Sequence, residues 1–98
     1  MLKGDTYEQV ASGFQWRLPE YYNIGVDVCD KWAGHTSRPA LIQVEPDGRE
    51  HRYTFLDLKN WSNQLANTLQ AHGIRRSDRV AILLPQCVET LLSHIAVY

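Results

Sequence analysis

The chain has 98 residues, of which 44% are hydrophobic and 21% charged, an ordinary soluble composition for one small domain or part of a larger one. Ten Lys plus Arg stand against eleven Asp plus Glu, a formal net charge of −1 that excludes the basic footprint of a nucleic-acid binder or of a chain drawn to anionic membranes. No apolar run approaches the ~18 residues of a membrane span, and MLKGDTYEQV carries acids rather than the apolar core of a signal peptide, so the cytoplasm is the default location.

Residues 1–20 are loosely patterned, with a short helix predicted near residues 5–11. PEYYNIGVDVCDKWAGH, residues 19–35, comes next. Ile24, Val28 and Trp32 recur at i+4 with Cys29 and Ala33 beside them, while Asp27, Asp30 and Lys31 fall on the other side. That spacing predicts an amphipathic helix capped by Asn23 and ended at Gly34.

ALIQVE, residues 40–45, alternates as a strand does. Pro46, Asp47 and Gly48 then supply a turn: Pro46 presets φ, Asp47 bonds nearby backbone and Gly48 tolerates positive φ. The return strand, residues 49–53, is polar at nearly every position, which places the hairpin at an edge or half in water.

Thr54 caps a long helix, with Asp57 completing a capping box. Its expected buried stripe is Phe55, Leu58, Trp61, Leu65 and Leu69; Lys59, Asn60, Asn63, Asn67 and Gln70 face outward. Gly73 suits the left-handed residue after the helix, and Ile74 the next position of a Schellman motif, in reach of Leu69.

RVAILLP, residues 79–85, holds five consecutive apolar residues without alternation, the pattern of a strand covered on both faces in a parallel sheet. From Gln86 onward, Val88, Leu91, Leu92, Ile95 and Ala96 share one helical stripe. The predicted order is helix, β-hairpin, helix, buried strand, helix: an α/β chain whose sheet is unfinished.

Few of the chain's polar residues stand in a pattern that supports chemistry. The six glycines form no GxG pair and none precedes Lys in a phosphate-binding loop. Histidines 35, 51, 72 and 94 are scattered, and Glu89 and His94, five residues apart, fall on different faces of one helix. Cys29 and Cys87 match no metal or redox spacing and read as reduced, largely buried thiols. Serines 12, 37, 62 and 93 lack a nucleophile elbow. Phe14, Trp16, Tyr21, Tyr22 and Trp32 interleave with only Arg17 and Lys31, so they read as a packing cluster or a covered surface, not a base-stacking platform. Arg75, Arg76 and Arg79, diluted by Asp78, read as a solvated loop. No residue is assigned a catalytic, cofactor-binding or metal-binding role.

The order of these segments resembles the start of the adenylate-forming acyl-CoA synthetases. Pro39-Ala40-Leu41, Tyr53-Thr54-Phe55, Ala66-Asn67, Gly73-Ile74 and Asp78-Arg79-Val80 match that family's words residue by residue. Pro19, Glu20, Tyr22, Asn23, Asp27, Val28, Asp30, Trp32 and Ala33 match an element of its medium-chain acyl-CoA synthetase and acetyl-CoA synthetase-like branch. The resemblance covers residues 18–98. One departure is Ser77, where the family usually has Gly before Asp-Arg-Val. Another is the stretch 86–94, which lacks an aromatic that relatives often carry.

The resemblance implies that the parent enzyme activates a carboxylic acid with ATP to an acyl-adenylate and passes the acyl group to coenzyme A. It implies ATP, Mg²⁺ and coenzyme A for the parent, with the phosphate loop and the catalytic Lys beyond residue 98. On this reading residues 1–98 are an inactive N-terminal fragment of an AMP-dependent synthetase domain, with no complete second domain, and LLSHIAVY lies in mid-domain. The rival reading is a free-standing α/β interaction module, against which the final helix shows no C-cap signal after Val97 and Tyr98. The fragment reading also predicts self-association through the C-terminal strand and helix, with Val80, Ile82, Leu84, Val88, Leu91, Leu92 and Ile95 left uncovered.

Overall fold

A computed structural model describes residues 4–34 and 37–98. Helix α1, Tyr7–Gly13, starts where the Thr6 side chain accepts the Gln9 N–H and the Gln9 side chain accepts the Asp5 N–H. None of its residues is buried. The connection that follows leaves Trp16, Leu18 and Tyr21 largely in solvent, with Phe14 and Trp16 packed edge to face at 4.9 Å.

Asn23 caps α2 as its side chain accepts the Val26 N–H at 2.9 Å. The helix is shorter than expected: α2 is Ile24–Val28, and a separate 3₁₀ turn follows at Asp30–Trp32. The cause is Trp32. Its indole Nε1 donates to the Asp27 carbonyl at 3.2 Å, the acceptor that a continuing α-helix would offer to the Lys31 N–H. The chain breaks at Cys29, with φ −130° and ψ −66°. His35, the last residue of the stretch 19–35, lies outside the described residues.

Strands β1, Pro39–Val44, and β2, Glu50–Thr54, pair antiparallel with Leu41 opposite Tyr53 and Gln43 opposite His51. Proline stands at the first position of β1, where a missing N–H is tolerated. The turn is built as its residues dictate. Gly48 sits at φ +85°, its N–H donates to the Glu45 carbonyl at 2.8 Å, and Asp47 accepts the Arg49 N–H at 3.0 Å. Glu50, His51 and Arg52 are exposed, so the hairpin's polar end stands in water as predicted.

Helix α3, Phe55–Ala71, opens with the complete capping box: Thr54 Oγ1 accepts the Asp57 N–H, and Asp57 accepts the Thr54 N–H. It closes with the Schellman pair, the Ile74 N–H on the Leu69 carbonyl at 3.1 Å and the Gly73 N–H on the Gln70 carbonyl at 2.9 Å, with Gly73 at φ +91°. Helix α4, Val88–Val97, packs along α3. The core joins Cys29, Leu58, Val88, Leu92 and Ile95, with Leu41, Tyr53 and Phe55 against it.

Three expectations need correction. Trp61 is 40% exposed, and the inward place beside Leu58 belongs to Ser62, whose hydroxyl donates to the Lys59 carbonyl. Residues 79–85 form no strand: the chain runs from 78 to 85 without helix, turn or bend and pairs with nothing among the described residues. A ladder needs a neighbouring backbone, and the hairpin is the whole of the described sheet. The apolar stripe of α4, expected uncovered, is instead buried at Val88, Leu92 and Ile95. Even so the fold is open. Its accessible surface is 8414 Å², against roughly 5,700 Å² for a closed monomer of this mass. Its radius of gyration is 17.3 Å, where about 13 Å is typical of a packed domain this long.

Candidate functional site

A cleft of 510 Å³ lies between β1 and the start of α4. Leu41, Ile42, Val44 and Leu91 form its apolar walls; Gln43, Gln86, Cys87, Thr90 and His94 supply the polar atoms. Gln43 ties the two elements together. Its Oε1 accepts the Val88 N–H at 3.0 Å, capping α4 from another strand, while its Nε2 donates to Glu45 at 2.8 Å. This long-range cap is needed because Cys87, at the N-cap position, gives no side-chain cap to α4. Thr90 donates to the Pro85 carbonyl at 2.6 Å and lies 3.6 Å from the Cys87 sulfur.

These bonds decide what the cleft can do. Gln43 and Thr90 spend their polar atoms on the protein itself. No Lys or Arg lines the cavity to neutralise phosphates. The residues present do not fit a nucleotide.

The two thiols differ in surroundings. Cys29 is 1% exposed, its Sγ–H pointing to the Phe55 carbonyl, and burial pushes its thiol up from the ordinary value. Cys87 is half-buried at the cleft, where its thiol, helped by the Glu89 backbone N–H, holds the Glu89 carboxyl below the usual range. Both are free thiols. His94 lines the cleft and packs on Tyr98 at 6.2 Å. Among the described residues no three His, Cys, Asp or Glu side chains converge as a metal ion would need.

The aromatic residues do not gather into one cluster. Trp32 packs on Phe55 at 6.4 Å and carries the Arg38 guanidinium over its ring at 4.9 Å and the Lys31 ammonium at 5.0 Å. Lys31 also pairs with Asp27, which accepts the Tyr22 hydroxyl at 2.6 Å; those two bonds, Lys31 first, hold the Asp27 carboxyl down. Arg75, Arg76 and Arg79 are exposed as expected, and Asp78 turns back to accept the Arg75 N–H at 2.7 Å. The Gln43 bridge is what sequence reasoning missed, because hydropathy records nothing about a glutamine 45 positions from its partner.

Fold and cleft together define an α/β scaffold segment. Residues 29–98 match the family model of AMP-binding enzymes, and the chain belongs to that family. It is 35% identical to the mitochondrial acyl-coenzyme A synthetase ACSM3 of Rattus norvegicus and 36% identical to that of Homo sapiens, over 92% of this chain in each case. It is also 35% identical to the mitochondrial acyl-coenzyme A synthetase ACSM4 of Rattus norvegicus over 81% of this chain. The chain spans 17% of the length of the ACSM3 relatives and 15% of that ACSM4. No solved structure matches it. The relatives are named as mitochondrial, which overturns the cytoplasmic default drawn from the N-terminus. No helix among the described residues is long and apolar enough to cross a membrane.

Proposed function

We propose that this chain serves as part of a mitochondrial, AMP-forming acyl-CoA synthetase acting on a fatty acid. The whole enzyme joins the carboxylic acid to coenzyme A through an acyl-adenylate, with ATP cleaved to AMP and pyrophosphate and Mg²⁺ neutralising the phosphates. The observation that carries this reading is the 35% identity to ACSM3 across 92% of the chain. Within it, residues 1–98 are one piece of the synthetase domain, with no second complete domain, and no catalytic, cofactor or metal ligand is assigned to them. They form no acyl-CoA alone; the cleft without cations supports that part of the reading.

The test is direct. The 98-residue chain, given ATP, Mg²⁺, coenzyme A and straight-chain acids from acetate to decanoate, should release no AMP above blank. A full-length synthetase carrying this segment should release AMP only when acid is present. Acid-dependent AMP from the segment alone would overturn its inactivity; an acid-independent full-length protein would overturn the function. The chain also self-associates on this reading. With the apolar stripe of α4 buried, residues 79–85 and not the helix provide the surface.

A further inference from the structure

Leu41, Gln43 and Glu45 alternate as half-buried residues with the exposed Ile42 and Val44, so their side chains share the inner face of the hairpin. Glu45 follows β1 directly, and the turn fixes its backbone. Its N–H donates to the Arg49 carbonyl at 2.8 Å, and its carbonyl accepts the Gly48 N–H at 2.8 Å. From that fixed point its carboxylate Oε1 accepts the Gln43 Nε2 at 2.8 Å. Among the described residues no other side chain donates to this carboxylate; His51 Nε2 stands 3.9 Å from the same oxygen, beyond hydrogen-bond reach.

These contacts decide which way the Gln43 amide faces. An amide has one accepting and one donating end, an ionised carboxylate only accepts, and a backbone N–H only donates. With Nε2 held by Glu45, Oε1 is left for the Val88 N–H, which it accepts at 3.0 Å. Reversed, the amide would set N–H against N–H, and α4 would lose this cap while Cys87 supplies none. We infer that Glu45 is a positioning residue for α4: its carboxylate holds the Gln43 amide in the orientation that caps the helix. Glu45 does not line the cleft between β1 and α4, yet it fixes the start of the helix that forms one wall of it. Every group in this relay lies between residues 43 and 88 and already meets its partner within the chain.

Hydrogen exchange at the Val88 amide, in a full-length synthetase carrying this segment, tests this, with the amides of α3 reporting on the overall fold. Glu45→Lys turns the acceptor into a donor and should draw the Gln43 oxygen away from α4, raising Val88 exchange about fivefold, as loss of a typical helix cap dictates. Glu45→Gln keeps an oxygen for Gln43 Nε2 and should hold the rate within about twofold of the parent. If the lysine variant fails to fold, Glu45→Leu, which removes the acceptor without adding charge, should raise the rate about two- to threefold. Gln43→Leu raises it by itself, and adding Glu45→Lys to that variant should change nothing more. A Val88 rate unchanged by both the lysine and the leucine substitution at Glu45 overturns the inference. So does a Glu45→Lys effect that persists beside Gln43→Leu, or a glutamine variant that exchanges as fast as the lysine one.

Discussion

Ser77 is the non-glycine residue with positive φ among the described residues, at +77°, in the exposed loop joining α3 to residues 79–85. A Cβ in the left-handed region approaches the following carbonyl oxygen at a cost of about 1–2 kcal/mol. The Ser77 hydroxyl makes no hydrogen bond to the protein that would offset this among the described residues. Replacing it with glycine relieves the strain but widens the unfolded ensemble, which costs about 0.4–1 kcal/mol. The first effect wins, so Ser77→Gly should stabilise the chain by about 0.5–1 kcal/mol, or about 2–8 °C in melting temperature for a domain of this size.

Urea unfolding followed by circular dichroism at 222 nm measures it, with stability taken from the midpoint at constant m. Ser77→Ala keeps the Cβ and should leave the midpoint nearly unchanged; Ser77→Val adds β-branching and should lower it. The three variants separate backbone strain from any effect of the hydroxyl. A glycine midpoint at or below that of Ser77, with m unchanged, would refute the reasoning. The family usually places Gly before Asp-Arg-Val, so this position shows a local departure in sequence whose physical cost can be read from a single dihedral angle.

Three further outcomes are expected. Leu58 is 2% exposed at the centre of the core, so Leu58→Ala should cost about 2–5 kcal/mol in the same urea assay. A thiol reagent such as DTNB should titrate Cys87 at neutral pH and leave Cys29 unreacted until the chain unfolds, because Cys29 is 1% exposed and its thiol is pushed up by burial. The Thr54 side chain first, and its backbone N–H second, hold the Asp57 carboxyl below its ordinary range. A depressed folded value means that the capping contribution is full above about pH 4, the unfolded carboxyl's range, and is lost as pH falls through the folded value. Asp57→Asn should therefore flatten the acid limb of stability against pH; a parallel shift with the limb intact would count against it.

Much of the local structure was legible because it is written in residues close in sequence. Thr54 and Asp57, Gly73 and Ile74, and the Pro46–Gly48 turn each contain their own donors, acceptors and dihedral needs within a few positions. The errors lie where distant groups decide. A hydropathy stripe selects Trp61, but that ring packs edge to face on Tyr53 at 5.8 Å, toward the hairpin. The helix face toward α2 and α4 is lined by Ser62 and Ala66, opposite Gly25. A Cβ at Gly25 would lie 3.4 Å from the Ile95 carbonyl, so small residues set how closely those helices approach. Hydrophobicity alone ranks such positions last. The break after Val28 was hidden for the same reason, since it depends on one indole N–H reaching back to Asp27.

Residues 79–85 and α4 sharpen the distinction. Both are apolar, and both were expected to lie uncovered, yet only α4 found its place. Helix α4 satisfies most of its own backbone through i→i+4 bonds, so it needs from its neighbours only an apolar face and a cap, which α3 and Gln43 supply. A strand satisfies none of its backbone by itself. Its apolar side chains can settle against α3 and α4, as Val80 and Ile82 do, while every N–H and carbonyl from residue 79 to 84 still waits for a second chain segment. Apolar pattern therefore marked both segments as seeking cover, but the strand alone also required a backbone partner, which none of the described residues provides. The large exposed surface of the chain has the same origin: its helices could close locally, and its sheet could not.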